Sequence, residues 1–282
     1  MISILKDREF KEGFILLKRS LNEDNKIRLK SICFNDGKPS WRVADYFSKE
    51  LLMDNHIVER YLDTYKVYNK YKSLSKDAKG LTLEIKTNEE FDHLRGDGEA
   101  WPHLLIEQEF KDEFINSFES LNVKMNLSFL QFESFINEER NDLHTLQVSL
   151  YFAIGSRKNN DFFWFGIPFI DFPRYQIAKP YEEMDKGKED ATKKLIYAIN
   201  PNLYIKDHYN VGDDLSINID VLPYIKKGFN KAKEMMFLRG VEYDELEIFS
   251  INFGFEATGT FNGKIRLSDF DILKEVRSYE KD

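Results

Sequence analysis

Short apolar segments, each ended within a few residues by glycine, proline, asparagine or aspartate, recur along this chain. Residues 81–86 and 121–132 alternate between apolar and polar side chains, which is the pattern of a half-buried β-strand. Residues 143–154 and 162–171 are rich in aromatic and β-branched residues and flank a polar turn. Strands of this density and spacing predict an antiparallel β-sandwich.

One segment has the period of an α-helix instead. Residues 221–239 place apolar side chains at helical spacing, at Ile225, Phe229, Ala232, Met235 and Met236. Asp220 precedes the segment and is predicted to be its N-cap, and Gly240 follows it as a stop signal. The predicted fold is therefore mainly β, an antiparallel jelly-roll β-sandwich with one main helix packed outside a sheet.

No low-complexity linker or sharp break in composition divides the chain. Residues 99–282 are predicted to form the jelly-roll sandwich. Residues 1–98 are predicted to contribute strands and a less regular, partly helical arm, which belongs to the sandwich or packs on it. Within this arm, four tyrosines in residues 61–71 suit either one face of a helix or an exposed aromatic strand.

The composition narrows the class of protein. An apolar content of 42% in 282 residues is sufficient for a large core, and the net charge of −8 argues against nucleic acid as a partner. The single cysteine, Cys33, excludes an internal disulfide. No signal peptide or membrane-spanning run is recognisable, so a cytoplasmic protein without a membrane partner is expected, although a mature secreted domain would look the same.

No cofactor is expected. Calcium takes oxygen ligands from acidic, glycine-containing loops, and Asp185, Gly187 and Asp190 form such a loop. Two lysines lie within it, and its spacing differs from that of an EF-hand loop, so a calcium site is disfavoured. The sequence motifs of phosphate loops, serine nucleophile elbows and zinc proteases are also absent.

Six polar residues are the candidates for a ligand-binding site: His103, Glu107, Gln147, Tyr151, Asp171 and Arg174. Within a strand, residues an even number apart share a face, so His103 lies with Glu107 and Gln147 lies with Tyr151. If the two strands neighbour one another in one sheet, these side chains converge on one concavity, with Arg174 at its rim. Structural roles stay open for the same residues: a buried His–Glu hydrogen bond, an Asp171–Arg174 clamp, or a solvated polar face.

Five further stretches carry a family resemblance: WPHLLIEQ (101–108), FGIPFIDFPR (165–174), DKGKEDATKKLIY (185–197), NIDVLPYIKK (218–227) and FSINFGFEATGTF (249–261). Together they resemble a group of uncharacterised bacterial jelly-roll proteins, akin to concanavalin-like and carbohydrate-binding sandwiches. The resemblance covers about residues 100–273 and implies a jelly-roll fold. It implies no particular activity.

Three functions fit this sequence. The first is a non-catalytic β-sandwich protein that binds a glycan or similar polar ligand on the polar strand face, with Trp41, Trp101 and Trp164 as candidate stacking residues. Burial of all three tryptophans would argue against it. Trp164 itself is expected in a packed layer, because residues 162–170 are almost wholly apolar.

The second function is that of a cytosolic interaction protein, such as a phage-encoded antagonist of a bacterial defence complex. Residues 61–71 would be its contact patch, and a homo-oligomer is one form that it could take. The third is a glycan hydrolase or lyase that uses His103, Glu107, Tyr151 and Arg174. The two carboxylates of a hydrolase need a separation that only the fold defines.

Overall fold

The computed structural model describes residues 1–19, 27–136, 143–173, 177–186, 191–206 and 210–277. Its first eight strands are β1 (Ile2–Ser3), β2 (Gly13–Arg19), β3 (Ile27–Cys33), β4 (Trp41–Ala44), β5 (Ile57–Tyr61), β6 (Thr64–Tyr68), β7 (Lys72–Asp77) and β8 (Gly80–Lys86). The next nine are β9 (His103–Glu109), β10 (Phe118–Ser134), β11 (Leu146–Ser156), β12 (Asp161–Phe172), β13 (Tyr181–Met184), β14 (Leu195–Ala198), β15 (Asp214–Asp220), β16 (Glu247–Ala257) and β17 (Phe261–Val276). The α-helices are α1 (Thr87–Glu90) and α2 (Leu222–Glu234), and short 3-10 helices cover Ile115–Ser117, Pro201–Leu203 and Tyr243–Glu245.

The strands form two sheets. The first has nine strands in the order β13-β14-β12-β11-β16-β9-β4-β2-β3, and the second runs β15-β10-β17-β8-β7-β6-β5, with β1 added on β17. The predicted β-sandwich with one main helix is confirmed. It is not wholly antiparallel, because β12 pairs with β14, and β2 with β4, in parallel.

Strands from residues 1–98 are hydrogen-bonded into both sheets. Strands β2 to β4 extend the nine-stranded sheet, and β5 to β8 extend the second. The tyrosine-rich residues 61–71 lie on the antiparallel pairs β5–β6 and β6–β7 and the turns beside them. The helical interpretation of these tyrosines is therefore wrong.

The core lies between the sheets and follows from the alternation of side chains. On β11, every second residue from Leu146 to Ile154 is fully buried. On β10, the alternate apolar residues from Leu121 to Phe129 are buried in the same core. Because a strand has a side-chain period of two, the intervening residues of β11 face the other side of the nine-stranded sheet.

Helix α2 covers Leu222–Glu234, a shorter span than predicted. Ile225, Phe229 and Ala232 are buried as expected, whereas Met236, with a φ of 65°, lies beyond the helix end and is exposed. The predicted N-cap is wrong, because Val221 occupies that position. Asp220 Oδ1 instead accepts hydrogen bonds from the backbone N–H groups of both Leu222 and Leu121, which ties the helix start to β10. Within the described ranges, no helix is long and apolar enough to cross a membrane.

Candidate functional site

A cavity of about 660 Å³ opens on the face of the nine-stranded sheet that points away from the core. We call it the sheet cavity. Strands β9, β16, β11 and β12 form its floor, and residues 178–186 with Thr192 form one wall. The alternation of β11 explains the floor, since Leu150 and Phe152 are buried in the core while Ser149 and Tyr151 line the cavity.

Two rows of paired residues cross this floor. In the first row, Asp171 of β12 is paired with Gln147 of β11. Gln147 is paired in turn with Glu256 of β16, which lies opposite His103 of β9. The consecutive strands β11 and β12, together with the distant strands β9 and β16, therefore place a continuous line of polar side chains along one edge of the cavity.

Asp171 is held at one end of the first row. Its carboxylate accepts hydrogen bonds from the Thr145 hydroxyl and, at 3.4 Å, from Gln147 Nε2. Gln147 is the second residue of β11, and Thr145 immediately precedes this strand. The two hydrogen bonds therefore join the start of β11 to the end of β12. Arg174, the predicted partner of Asp171, lies outside the described residues.

Glu256 and His103 form the other end of the first row. Glu256 Oε2 accepts a hydrogen bond from Trp101 Nε1 at 2.8 Å and lies 3.2 Å from His103 Nε2. His103 is buried, and the Trp101 indole stacks on its ring with a centroid distance of 6.1 Å. The structural alternative for His103, a hydrogen bond to Glu107, is wrong, because the carboxylate beside its Nε2 belongs to Glu256.

The second row runs from Gly166 of β12 through Tyr151 and Asn252 to Glu107 of β9. The Tyr151 hydroxyl shares a hydrogen bond with the Tyr181 hydroxyl. Burial raises the pKa of both phenols, so both stay protonated at neutral pH. A Cβ atom at Gly166 would lie 2.6 Å from the Tyr151 ring, so this position requires glycine for the ring to lie flat on the sheet.

Glu107 is the carboxyl group at the far end of the second row. Burial raises its pKa to about 7, against the opposing effect of the positive charge of Arg42, while the negative charge of Glu109 adds to the shift. Arg42 lies opposite Glu107 on β4, but its guanidinium donates to Glu109. Within the described part of the chain, no group donates a hydrogen bond to the Glu107 carboxyl. Glu107 therefore presents an unpaired acceptor to the cavity.

The tryptophans divide between the core and the sheet cavity. Trp41 is fully buried, whereas Trp101 and Trp164 are half-buried and line the cavity. The Trp164 indole donates a hydrogen bond to the Thr192 hydroxyl at 3.0 Å. The expected packed layer around Trp164 is therefore wrong. Pro168 follows on the same face of β12 and also lines the cavity.

The described lining of the sheet cavity is acidic. Its carboxylates belong to Glu107, Asp171, Glu183, Asp185 and Glu256, and its amines to Lys179 and Lys186. Asp185 accepts hydrogen bonds from Thr192 through both the backbone N–H, at 2.7 Å, and the hydroxyl. Gly187 and Asp190, the other members of the disfavoured calcium loop, lie outside the described residues. The described side chains include no group of three or more metal-ligating residues placed to hold an ion.

The structure brings five of the six candidate residues to this one cavity: His103, Glu107, Gln147, Tyr151 and Asp171. Their role as ligand contacts stays a prediction. Sequence reasoning missed Asn252 and Glu256 as lining residues, although the alternation of Asn252, Gly254 and Glu256 was visible. This alternation is the signal that identifies the cavity face of β16, the strand between β9 and β11.

Comparisons with known proteins find no family model and no curated relative that matches this chain. Solved structures do align with it. A loop-swap mutant of the Xyn11A xylanase of Necallimastix patriciarum has a TM-score of 0.41 and 7% identity, over 83% of this chain and 100% of that one. A cellulase derived from Cel12A of Rhodothermus marinus has a TM-score of 0.41 and 9% identity, over 78% and 99%. Likeness at this level assigns neither an activity nor a ligand to this chain.

Proposed function

We propose that this protein binds a glycan in the sheet cavity without cleaving it. The observation that carries the proposal is a floor of polar side chains with a half-buried tryptophan near each end, Trp164 on β12 and Trp101 before β9. A sugar ring has apolar faces, which pack on aromatic rings, and hydroxyl groups, which bond to planar polar side chains. Ligand cavities commonly measure about 300–1,000 Å³, and the sheet cavity, at about 660 Å³, falls in this range.

The spacing of the two glutamates on the floor, Glu107 and Glu256, argues against their use as the carboxyl pair of a glycosidase. Glu256 lies opposite His103, which is four residues from Glu107 along β9, so the two glutamates are offset by about 13 Å along the strands. The Glu256 carboxylate accepts a hydrogen bond from Trp101, which lies on the side of His103 opposite to Glu107 along the chain. Glycosidases instead place their two carboxyl groups about 5–10 Å apart.

A glycan array, followed by calorimetric titration of the best oligosaccharide, tests this proposal. The wild-type protein is expected to bind, and Trp164→Ala is expected to weaken binding at least about tenfold through loss of ring stacking. Tyr61→Ala is the matched control, because Tyr61 is an aromatic residue exposed on the second sheet, away from the cavity. Equal loss in both variants, or no binding by the wild type, would refute the proposal.

Incubation of the same oligosaccharide with the protein separates binding from hydrolysis. We expect no release of reducing ends. Release that is lost in Glu107→Gln would favour the glycoside hydrolase function, in which a carboxyl group with a pKa near 7 acts as the general acid.

An interaction protein is the second candidate, favoured by the exposed edge of the second sheet. Strand β5 is the last strand of that sheet, and Ile57, Val58, Tyr61 and the adjacent Leu62 are between 47% and 76% exposed. An edge strand offers unpaired backbone groups to a partner strand, as a cytosolic antagonist of a defence complex could use. Under this proposal, Val58→Lys abolishes capture of a bacterial protein that the wild type captures, and retained capture argues against it.

A further inference from the structure

The acidic lining of the sheet cavity bears on the class of glycan that it accepts, and this inference rests on the proposed function. Carboxylates outnumber amines five to two among the described lining residues. A cavity of one charge sign concentrates ligands of the opposite sign and repels those of the same sign. Uronic acids, which a lyase would bind, are therefore disfavoured ligands.

The individual contacts of these carboxylates distinguish Glu107 from the others. Asp171, Asp185 and Glu256 each accept hydrogen bonds from neighbouring side chains. Glu183 is exposed on β13, at the rim. Glu107 is on the floor, half-buried, and accepts no hydrogen bond from any described residue.

The groups around Glu107 indicate which kind of ligand group its carboxyl would bind. Its neighbour on one side, Arg42, already donates to Glu109. Its neighbour on the other side, Asn252, donates no hydrogen bond to it, and the Tyr151 hydroxyl beyond is bonded to Tyr181. A carboxyl group that is partly removed from water gains most from a cationic donor, because such a hydrogen bond is charge-assisted.

We propose that Glu107 receives the ammonium group of an amine-bearing sugar, so that the sheet cavity prefers glycans with free amino groups over neutral and acidic glycans. The register of β9, β16, β11 and β12 places Trp101 and Trp164 near opposite ends of the floor, about 26 Å apart along the strands. The two tryptophans therefore hold different units of an oligosaccharide, and Glu107 selects the substituent of a unit between them. A hydroxyl group at the same position also donates a hydrogen bond, but it does not neutralise the charge of the carboxylate. An N-acetylated amine is uncharged and lacks this advantage.

Three matched sets of β-linked oligosaccharides test the proposal by calorimetric titration at pH 7, where about half of the Glu107 carboxyl is ionised. They are amine-bearing glucosamine oligomers, their N-acetylated forms, and neutral cello-oligomers of the same length. The wild type is expected to bind the amine-bearing set about tenfold more tightly than the neutral set, as one charge-assisted contact predicts. An oligogalacturonate of the same length is expected to bind least.

Glu107→Gln is expected to lose the preference for amines while it keeps its affinity for the neutral set. Glu183→Gln, which removes one carboxylate from the cavity rim, is the matched control and should keep the preference within about twofold. Glu107→Asp, which keeps the charge, should also keep the preference. Glu107→Ala, which removes the carboxyl group, should lose the preference and replaces the glutamine variant if that variant does not fold.

Two results would overturn the inference and leave the proposed function standing: equal affinity of the wild type for amine-bearing and neutral oligomers, or an undiminished preference in Glu107→Gln. Absence of binding for every sugar class would instead refute the proposed function, and the inference with it.

Discussion

Replacement of Glu107 by glutamine is expected to stabilise the folded protein at alkaline pH and not at acid pH. The folded state raises the pKa of this carboxyl from 4.5 to about 7. The Glu107 carboxyl therefore binds its proton more tightly in the folded state than in the unfolded chain. Its contribution to stability is fully present below pH 4.5 and is lost as the pH rises through 7. Glutamine carries no charge and avoids this loss.

The size of the effect follows from the shift. The difference between a pKa of 4.5 and a pKa of about 7 corresponds to about 3.5 kcal/mol, at about 1.4 kcal/mol for each unit of pKa. Glu107 is only half-buried and faces the cavity, so solvent screening reduces this to about 1.5 kcal/mol. Urea unfolding at pH 5 and pH 8, followed by tryptophan fluorescence, measures the difference in unfolding free energy between variant and wild type.

That difference should grow by about 1.5 kcal/mol in favour of the variant between pH 5 and pH 8. Glu119→Gln, on the exposed side of β10, controls for the loss of one negative charge. A difference between variant and wild type that stays constant with pH would refute the assignment of a raised pKa to Glu107, and so its placement in a partly dehydrated site.

Three further predictions concern packing and buried charge. Lys72→Met should destabilise the protein by about 3–5 kcal/mol in urea unfolding, because Lys72 Nζ lies 3.4 Å from Glu90 and both side chains are fully buried. Gly166→Ala should cost about 1–3 kcal/mol and lower the melting temperature, since the added methyl group meets the Tyr151 ring. Trp164→Ala should cost less than the roughly 3–5 kcal/mol of a buried aromatic, as measured by the same unfolding assay, because its ring is half-buried.

Local patterns were sufficient to predict the strands β8, β10, β11 and β12, but they did not predict which strands pair. The alternation in residues 121–132 reports directly which side chains of β10 face the core, since each residue contributes its own side of the strand. The parallel contact of β12 with β14 left no such signal, because it depends on how the chain returns after residues 173–194. Apolar side chains in residues 162–171 indicated a strand, but they did not reveal that Trp164 borders open space.

The same limit applies to the candidate site, where the sequence indicates which residues share a face of a strand but not which strands are neighbours. The two-residue period placed His103 with Glu107 and Gln147 with Tyr151 on common faces, and both pairs line the sheet cavity. It could not show that β16 lies between these strands and inserts Glu256 beside His103. Glu256 and His103 are more than one hundred and fifty residues apart in the chain. Only the strand order brings them together.

Titration of the protein with the oligosaccharide selected on the array, followed by tryptophan fluorescence, tests the sheet cavity most directly as the glycan site. Two tryptophans line the cavity, while Trp41 is fully buried in the core and its indole donates to the Asp7 carbonyl at 2.9 Å. Ligand binding should change the wild-type emission in a saturable manner. The change should vanish when Trp101→Phe and Trp164→Phe are combined, which leaves Trp41 as the only reporter. An undiminished fluorescence change in this double variant would contradict a glycan site in the sheet cavity.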